Sequence, residues 1–310
     1  MKILAIETTC DDTGIAIIDD GNVIFDAKLS SQDFFLNYGG IIPELAARMH
    51  GTNIIELLKK VVSLEGFNFE DILYIAYASE PGLIGSLHVG KIFADTLAWF
   101  YNLDIIKINH IYAHCYSGLI GIKKIEYPFL SLIASGGTTS IFIINSPNDI
   151  KELNKKADDA LGEAYDKVGR LLKLPYPGGP EIDKLYNYES VKKIFKKQSI
   201  ESDFSFSGAK SKIKNLINSY FKKKEIIPVE MLASSFQDWA INLLIDKIIY
   251  YKKKYDVKYI TIGGGVASNS LWREQTTKFN LNIIIPKKKY CCDNAAMIGY
   301  YAFQKTIINE

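Results

Sequence analysis

Two histidines, His110 and His114, stand at i and i+4 in Asn109-His-Ile-Tyr-Ala-His114, in a 310-residue chain with four histidines. On a helix that spacing puts both imidazoles on one face, one turn apart. Two nitrogens so placed can share one metal ion. The same spacing also serves two half-buried histidines that merely pack. Asp293 offers an anionic third ligand, and it also suits the N-cap of a final helix. Two histidines and one aspartate would leave coordination positions open for substrate.

Other segments could bind an anion or a nucleotide. Ser135-Gly-Gly-Thr-Thr139 reads as a strand-turn-strand whose glycines let backbone N–H groups approach a phosphate, although an ordinary hairpin turn fits the same residues. Gly263-Gly-Gly-Val-Ala-Ser-Asn269 follows a strand and precedes a helix, which suits close approach to an adenine nucleotide as well as a tight turn. In Ala157–Lys167, read as helical, Asp159, Glu163 and Asp166 fall near one face. That face is either solvated or, through Asp166, a carboxylate able to accept two hydrogen bonds from a ribose diol.

The elements that must position these residues alternate between strand and helix. Lys2–Ile6 reads as a buried strand, Thr8–Gly14 as a turn and Ile15–Ile18 as a second strand. Together they form a hairpin with hydroxyls and two carboxylates, Asp11 and Asp12, at its tip. A third strand follows near Val23–Leu29. Pro43–Val62 is helical, with Pro43 in the first turn and Leu45, Met49, Leu57 and Val61 as apolar positions. Ile72–Ala78 is a strand, a helix runs through Trp99, Ile105–Ile108 is a strand, and the histidine helix follows. A similar hairpin begins again with strands at Phe129–Ala134 and Ser140–Ile144, a weak internal duplication. From about 150 to about 230 the chain is polar and helical, broken at Tyr176-Pro-Gly-Gly-Pro180. Pro228–Lys254 is a long amphipathic helix with Leu232, Phe236, Trp239, Leu243 and Ile248 inward. Lys258–Ile262 is a strand, and a final helix runs from near Asp293 to about Lys305. This alternation argues an α/β protein with a cleft between two halves.

Composition narrows the function class. The net charge of +2 does not indicate a strongly basic nucleic-acid-binding domain, and charge is instead local, in lysine runs such as Lys192–Lys197 and Lys287–Lys289. Solvated faces explain those runs, though one or two could meet phosphate backbone. The cysteines, Cys10, Cys115, Cys291 and Cys292, form no Cys-x-x-Cys, so neither a disulfide framework nor a zinc knuckle is visible. A reducing, cytoplasmic setting is expected. Glu7 interrupts the N-terminal apolar run too early for a signal peptide, and no stretch approaches a membrane span.

Taken together, these segments resemble the TsaD family of tRNA N6-adenosine threonylcarbamoyltransferases, in its bacterial and organellar branch, from Ile3 to about Phe303. The resemblance is carried by Ile6-Glu-Thr-Thr-Cys-Asp-Asp-Thr13, Tyr38-Gly-Gly-Ile-Ile-Pro-Glu-Leu-Ala46 and Pro81-Gly-Leu-Ile-Gly85. It continues through His110–His114, Ser135-Gly-Gly137, Gly162-Glu-Ala-Tyr-Asp-Lys167, Tyr176–Pro180, Phe204-Ser-Phe-Ser-Gly208 with Lys210, Gly263–Asn269 and Cys292-Asp-Asn294. It implies an actin/Hsp70/sugar-kinase-like fold with two ribonuclease-H-like domains flanking a nucleotide cleft. The expected division is 1–125, completed by a C-terminal helix at 293–310, and 126–292 with a helical insertion at about 150–230.

The implied reaction moves threonylcarbamoyl from threonylcarbamoyl-AMP to N6 of adenosine 37 in tRNAs reading codons that begin with adenine, and releases AMP. By the same resemblance, His110, His114 and Asp293 bind one divalent metal ion, Fe2+ first and Zn2+ second. Ile133, Ala134, Ser135, Gly136, Gly137, Asp166, Gly179, Asp183 and Asn269 hold the acyl-adenylate. Asp11 and Asp12 lie near the reacting centre, with Asp11 the candidate proton acceptor. The implied partners are tRNA and TsaB-like and TsaE-like subunits, one of them docking on the N-terminal half, with no membrane.

Three departures stand out. Thr138 occupies the position of a usual histidine in Ser-Gly-Gly-His-Thr, Asp12 that of a usual glutamate, and Glu80 that of a usual glycine. Three rival readings share some of these features. A small-molecule kinase of the same fold conflicts with nitrogen ligands, since Mg2+ prefers oxygen. A non-catalytic partner subunit would lack the histidine pair. A metallopeptidase would need His-Glu-x-x-His, but position 111 is Ile.

Overall fold

A strand whose two faces are both covered must be apolar nearly throughout, and the first strand, β1 (Lys2–Glu7), is buried from Ile3 to Glu7. The structure is a computed structural model. It describes every residue except 39, 155, 156, 280 and 308–310. Residue 39 of the 38–46 motif and the end of the 293–310 segment therefore lie outside the described residues.

After β1 come β2 (Asp12–Asp19), β3 (Asn22–Ser30), a short helix α1 (Gln32–Phe35), α2 (Pro43–Val62), β4 (Ile72–Glu80), α3 (Ile84–Tyr101), β5 (Asp104–Asn109) and α4 (His110–Tyr116). Then follow β6 (Phe129–Ala134), β7 (Thr139–Ser146), β8 (Asp149–Glu152), α5 (Leu161–Leu171), α6 (Gly178–Lys184), α7 (Ser207–Lys222) and α8 (Val229–Tyr255). The chain closes with β9 (Ile260–Gly263), α9 (Ser270–Lys278), β10 (Ile283–Ile284) and α10 (Ala295–Thr306).

Two compact units result. The first holds Met1–Tyr127, Asn145–Ile150 and Pro286–Glu310, and the second Pro128–Ile144 and Lys151–Ile285. In the first unit the sheet order is β3-β2-β1-β4-β5. β1 runs antiparallel to β2 and parallel to β4, and β4 runs parallel to β5. Leu4, Ile6, Ile15 and Ile17 face Ile54, Leu57 and Val61 of α2 and Ala94 and Leu97 of α3 in one apolar cluster. The alternate residues face α10, where a Cβ on Gly299 would fall 2.8 Å from the Ala5 side chain. The buried stripe of α2 is Ala46, His50, Ile54, Leu57 and Val61. Leu45 and Met49, expected inward, are only half-buried. His50 takes an inward position instead, for a reason given below.

The second sheet repeats the plan as β10-β9-β6-β7-β8. β6 is antiparallel to β7 and parallel to β9, and β9 is parallel to β10. Here α8 is buried at Leu232, Phe236, Leu243 and Ile248, as its pattern predicts. Trp239 instead sits half-exposed, with its indole N–H donated to the Lys196 carbonyl at 3.0 Å. The 150–230 segment is less helical than its polarity suggests. It contains β8, and only a single 3-10 turn, Tyr188–Ser190, is regular between α6 and α7. Residues 157–160 are not helical, because α5 begins at Leu161.

Candidate functional site

His110 opens α4 directly after β5, and Asn109 caps that helix by accepting the Tyr112 N–H at 3.1 Å. The cap fixes the helix start, so the two histidines share a face as expected. Both are buried, with ring centroids 4.7 Å apart. Asp293 does not cap α10. The cap is Asn294, whose Oδ1 accepts the Met297 N–H at 2.9 Å. This corrects the N-cap reading and leaves the Asp293 carboxylate to turn toward the histidines. Its Oδ1 lies 3.4 Å from His110 Nε2 and 3.1 Å from His114 Nε2.

The three groups offer ligand atoms within 4.8 Å of one another. Ligands at about 2.1 Å in a tetrahedral shell stand roughly 3.4 Å apart, so the two His–Asp spacings fit one ion. Two imidazoles and one carboxylate suit a borderline transition metal better than Mg2+. Nδ1 of His114 is buried with no hydrogen-bond partner among the described residues. Burial would lower the pKa of His110, but the Glu7 and Asp293 charges outweigh it and hold the ring well above the ordinary histidine value. At His114 burial prevails and the pKa falls. Burial disfavours the Asp293 charge, yet the two rings hold its pKa well below the usual carboxylate range.

Beside these groups runs the turn Thr8–Asp11, and β2 already begins at Asp12. Several neighbours clasp the turn. Thr8 Oγ1 donates to the Ser86 carbonyl at 3.0 Å, and Leu83 N–H donates to the Thr9 carbonyl at 2.8 Å. His50 reaches in from α2, with Nε2 3.0 Å from the Cys10 carbonyl and Nδ1 2.7 Å from Thr13 Oγ1. Burial lowers the His50 pKa, so the ring is neutral, donating through one nitrogen and accepting through the other. Burial, then the Asp12 and Asp293 charges, push Asp11 up to about 6. Asp12 instead pairs with Lys28 at 2.5 Å. Burial pushes the Cys10 thiol up and that of Cys292 up to about 11, which argues against thiolate chemistry here.

In the second unit, the Ser135–Thr138 loop closes with Ser135 N–H on the Thr138 carbonyl at 2.8 Å. Thr138 N–H leans on Ser135 Oγ at 3.2 Å. Gly136 and Gly137 are exposed, and a Cβ on either would meet nothing within 4 Å. Ile133 and Ala134 are buried in β6, so only their backbone could serve a ligand. Two glycines shape the loop by close approach. A Cβ on Gly162 would fall 2.6 Å from the Ser135 carbonyl oxygen. Gly264, at φ +87°, would place one 2.4 Å from that of Ala134.

Asp166 accepts the Gly178 N–H at 2.8 Å at the start of α6. Burial raises its pKa, and the Gly178 and Gly179 N–H groups oppose the rise. The expected acidic face is split, because Lys167 binds Asp159 and Glu163, each at 2.7 Å. Asp183 accepts from Gln237 Nε2 at 2.9 Å and from Ser270 N–H at 2.9 Å. Asn269 donates to Gln237 Oε1 at 2.9 Å, and its Oδ1 caps α9. Gln237 therefore joins Asp183 to Asn269, although no local motif marks it.

The mixed sheets of repeated order have an actin/Hsp70/sugar-kinase-like fold, and the first unit carries a candidate metal centre. A full-length HypF structure in the phosphate- and nucleotide-bound form matches with TM-score 0.65 at 13% identity, over 100% of this chain and 56% of that one. The component A of (R)-2-hydroxyglutaryl-CoA dehydratase from Acidaminococcus fermentans matches with TM-score 0.54 at 14% identity, over 99% of each chain.

The family is settled by sequence. Residues 22–300 match the family model described as TsaD, tRNA N6-adenosine threonylcarbamoyltransferase. Relatives of that name are 43% identical over 306 residues in Malacoplasma penetrans, covering 98% of this chain and 99% of the relative. In Mycoplasmopsis synoviae the identity is 44% over 306 residues, covering 98% of each. The chain belongs to the TsaD family of tRNA N6-adenosine threonylcarbamoyltransferases, and is thus a transferase of tRNA modification. No helix among the described residues is long and apolar enough to cross a membrane.

Proposed function

We propose that the chain moves the threonylcarbamoyl group of threonylcarbamoyl-AMP onto N6 of adenosine 37 in tRNAs reading codons that begin with adenine, releasing AMP. One observation carries the assignment of residues: His110 Nε2, His114 Nε2 and Asp293 Oδ1 converge beside Asp11, whose carboxyl titrates at about 6. His110, His114 and Asp293 hold one divalent ion, Fe2+ in first place and Zn2+ in second. When bound, the ion supplies Lewis-acid polarisation of a substrate oxygen.

The remaining chemistry falls to the chain. The donor is a mixed anhydride with a good leaving group, so positioning and charge stabilisation outweigh a strong nucleophile. The adenosine N6 lone pair forms a bond to the carbamoyl carbon as that carbon's bond to the phosphate oxygen breaks. Asp11 accepts the N6 proton, a task suited to a carboxyl poised near the working pH. Asp12, paired with Lys28, holds the local charge balance. Backbone N–H groups of Gly136 and Gly137 steady the departing phosphate, Asp166 takes ribose hydroxyls, and Gly179 shapes that pocket together with Asp183 and Asn269, which Gln237 joins. Ile133 and Ala134 set the loop from below.

A TsaB-like subunit docks on the first unit, where α3 presents Ile84, Ile92, Trp99 and Phe100 to solvent, and a TsaE-like subunit completes the assembly. The test is transfer of labelled threonine to tRNA from synthetic threonylcarbamoyl-AMP with purified partner subunits, comparing the wild type with His110→Ala. Transfer abolished in a folded variant supports the assignment. Transfer retained by that variant refutes it. A wild type inactive with metal and active partners would point instead to a binding subunit.

A further inference from the structure

The two histidines of the centre are not held alike. Nδ1 of His114 is buried without a hydrogen-bond partner among the described residues. Nδ1 of His110 lies 3.0 Å from Glu7 Oε2 and 3.3 Å from Thr9 Oγ1. Glu7 ends β1, is fully buried at 0% exposure, and stands 103 positions from His110 in sequence. Its other oxygen, Oε1, accepts the Thr9 N–H at 2.7 Å. A carboxylate in this setting is unusual, because burying one carries a large cost unless its oxygens are matched. Here both are matched, one to the catalytic turn and one to the ring.

We infer that Glu7 is a positioning residue for the metal centre, fixing His110 with its proton on Nδ1 and its Nε2 lone pair turned toward the ion. A carboxylate can only accept, so the ring nitrogen facing it must donate. In the neutral ring that would bind an ion, the lone pair is then left on Nε2, the nitrogen that faces the third candidate ligand, with Asp293 Oδ1 3.4 Å away. A carboxylate behind a ligating imidazole also makes that ligand more basic. Glutamine cannot replace Glu7. Its amide has one acceptor end, whereas the site demands two, for Thr9 N–H and for His110 Nδ1–H. Whichever way the amide turns, an N–H meets an N–H.

The inference rests on His110 being a metal ligand, so its test separates the two ideas. Zn2+ affinity is measured on the full chain by competition with a chromophoric chelator, for the wild type, His110→Ala and Glu7→Gln. Folding of each is checked by circular dichroism. Glu7→Gln is expected to bind Zn2+ about 10–100-fold more weakly. Unchanged affinity in folded Glu7→Gln overturns the inference. Unchanged affinity in His110→Ala would instead sink the metal reading beneath it. A second measurement needs no variant and stands even where Glu7→Gln does not fold. In the Zn2+-loaded wild type, 15N NMR of labelled histidine should show His110 protonated at Nδ1 and metal-bound at Nε2. Ligation through Nδ1 with the proton on Nε2 would refute the role, because Glu7 would then face a nitrogen with no proton to give.

Discussion

Asp11→Asn should raise stability while destroying activity. Burial and the neighbouring Asp12 and Asp293 charges take the Asp11 carboxyl from 3.8 to about 6. The unfolded chain therefore releases this proton near pH 4, while the folded chain keeps it to about pH 6. The native state carries its full advantage below pH 4 and loses it as pH rises through 6. At ~1.4 kcal/mol per pH unit the loss is about 3 kcal/mol above pH 7 and roughly half that at pH 5. Asparagine has no proton to lose. Metal-free Asp11→Asn should exceed the wild type by up to about 3 kcal/mol at pH 8 in urea denaturation, and by about 1.5 kcal/mol at pH 5. Its transfer rate should fall by about 10²–10⁴ if Asp11 takes the N6 proton. In the wild type kcat/KM should climb with pH through about 6, and the variant should lack that limb. An equal stability gain at both pH values would refute the burial argument. Full transfer with normal substrate binding would refute the catalytic one.

Gly162→Ala would drive a methyl to 2.6 Å from the Ser135 carbonyl oxygen. It should cost about 1–3 kcal/mol and weaken AMP binding measured by calorimetric titration; unchanged AMP affinity would remove the loop from the adenylate site. His50→Ala removes the partner of the Cys10 carbonyl and leaves Thr13 Oγ1 with the longer Asn53 Nδ2 contact at 3.4 Å, and should cost about 1–3 kcal/mol in urea denaturation. Asn294→Ala removes the cap of α10 and should cost about 1 kcal/mol, read as a lower Tm. Excess chelator should also lower the Tm, because a ligand present at 100 times its Kd stabilises by about 2.7 kcal/mol; an unmoved Tm would argue against a resident ion.

The sequence disclosed what is local. Pro43–Val62 is helix α2 as predicted, and Phe129–Ala134 is strand β6, because apolar period and a first-turn proline are written in neighbouring residues. The i, i+4 histidine pair is local too. Its third member, Asp293, lies 179 positions from His114, where residue type alone offered it equally as a ligand and as a helix N-cap, and the family resemblance favoured the ligand. Glu7, Lys28, His50 and Gln237 escaped notice because each acts across the fold, on partners no spacing rule connects. One of them left a sign. Glu7 ends a run of apolar strand residues, and a carboxylate where every neighbour is buried calls for a buried partner. Lys28 left none, since a lysine on a strand ordinarily faces water.

Adjacent carboxylates at a hairpin tip look interchangeable in a sequence, but the sheet separates them. Asp12 is the first residue of β2, opposite Ser30 of β3, and Gly14 lies opposite Lys28. That register brings the Lys28 ammonium diagonally onto Asp12, and a further contact at 3.4 Å ties it to the Asp293 carbonyl. Burial works against the Lys28 charge, yet the Asp12 hydrogen bond and charge outweigh it and raise the Lys28 pKa. Asp11 precedes the strand. Its carbonyl accepts the Ser31 N–H at 2.9 Å, which pins the backbone, while no lysine or arginine among the described residues pairs with its carboxyl. One residue's difference in strand register thus gives Asp12 a lysine partner and leaves Asp11 with a carboxyl pushed up to about 6, the division of labour that the proposed reaction would use. Lys28→Met should accordingly raise the Asp11 pKa further, by exposing it to an unbalanced Asp12. The midpoint of the kcat/KM profile should move to higher pH. A midpoint that stays in place would mean that the Asp12 charge does not reach Asp11.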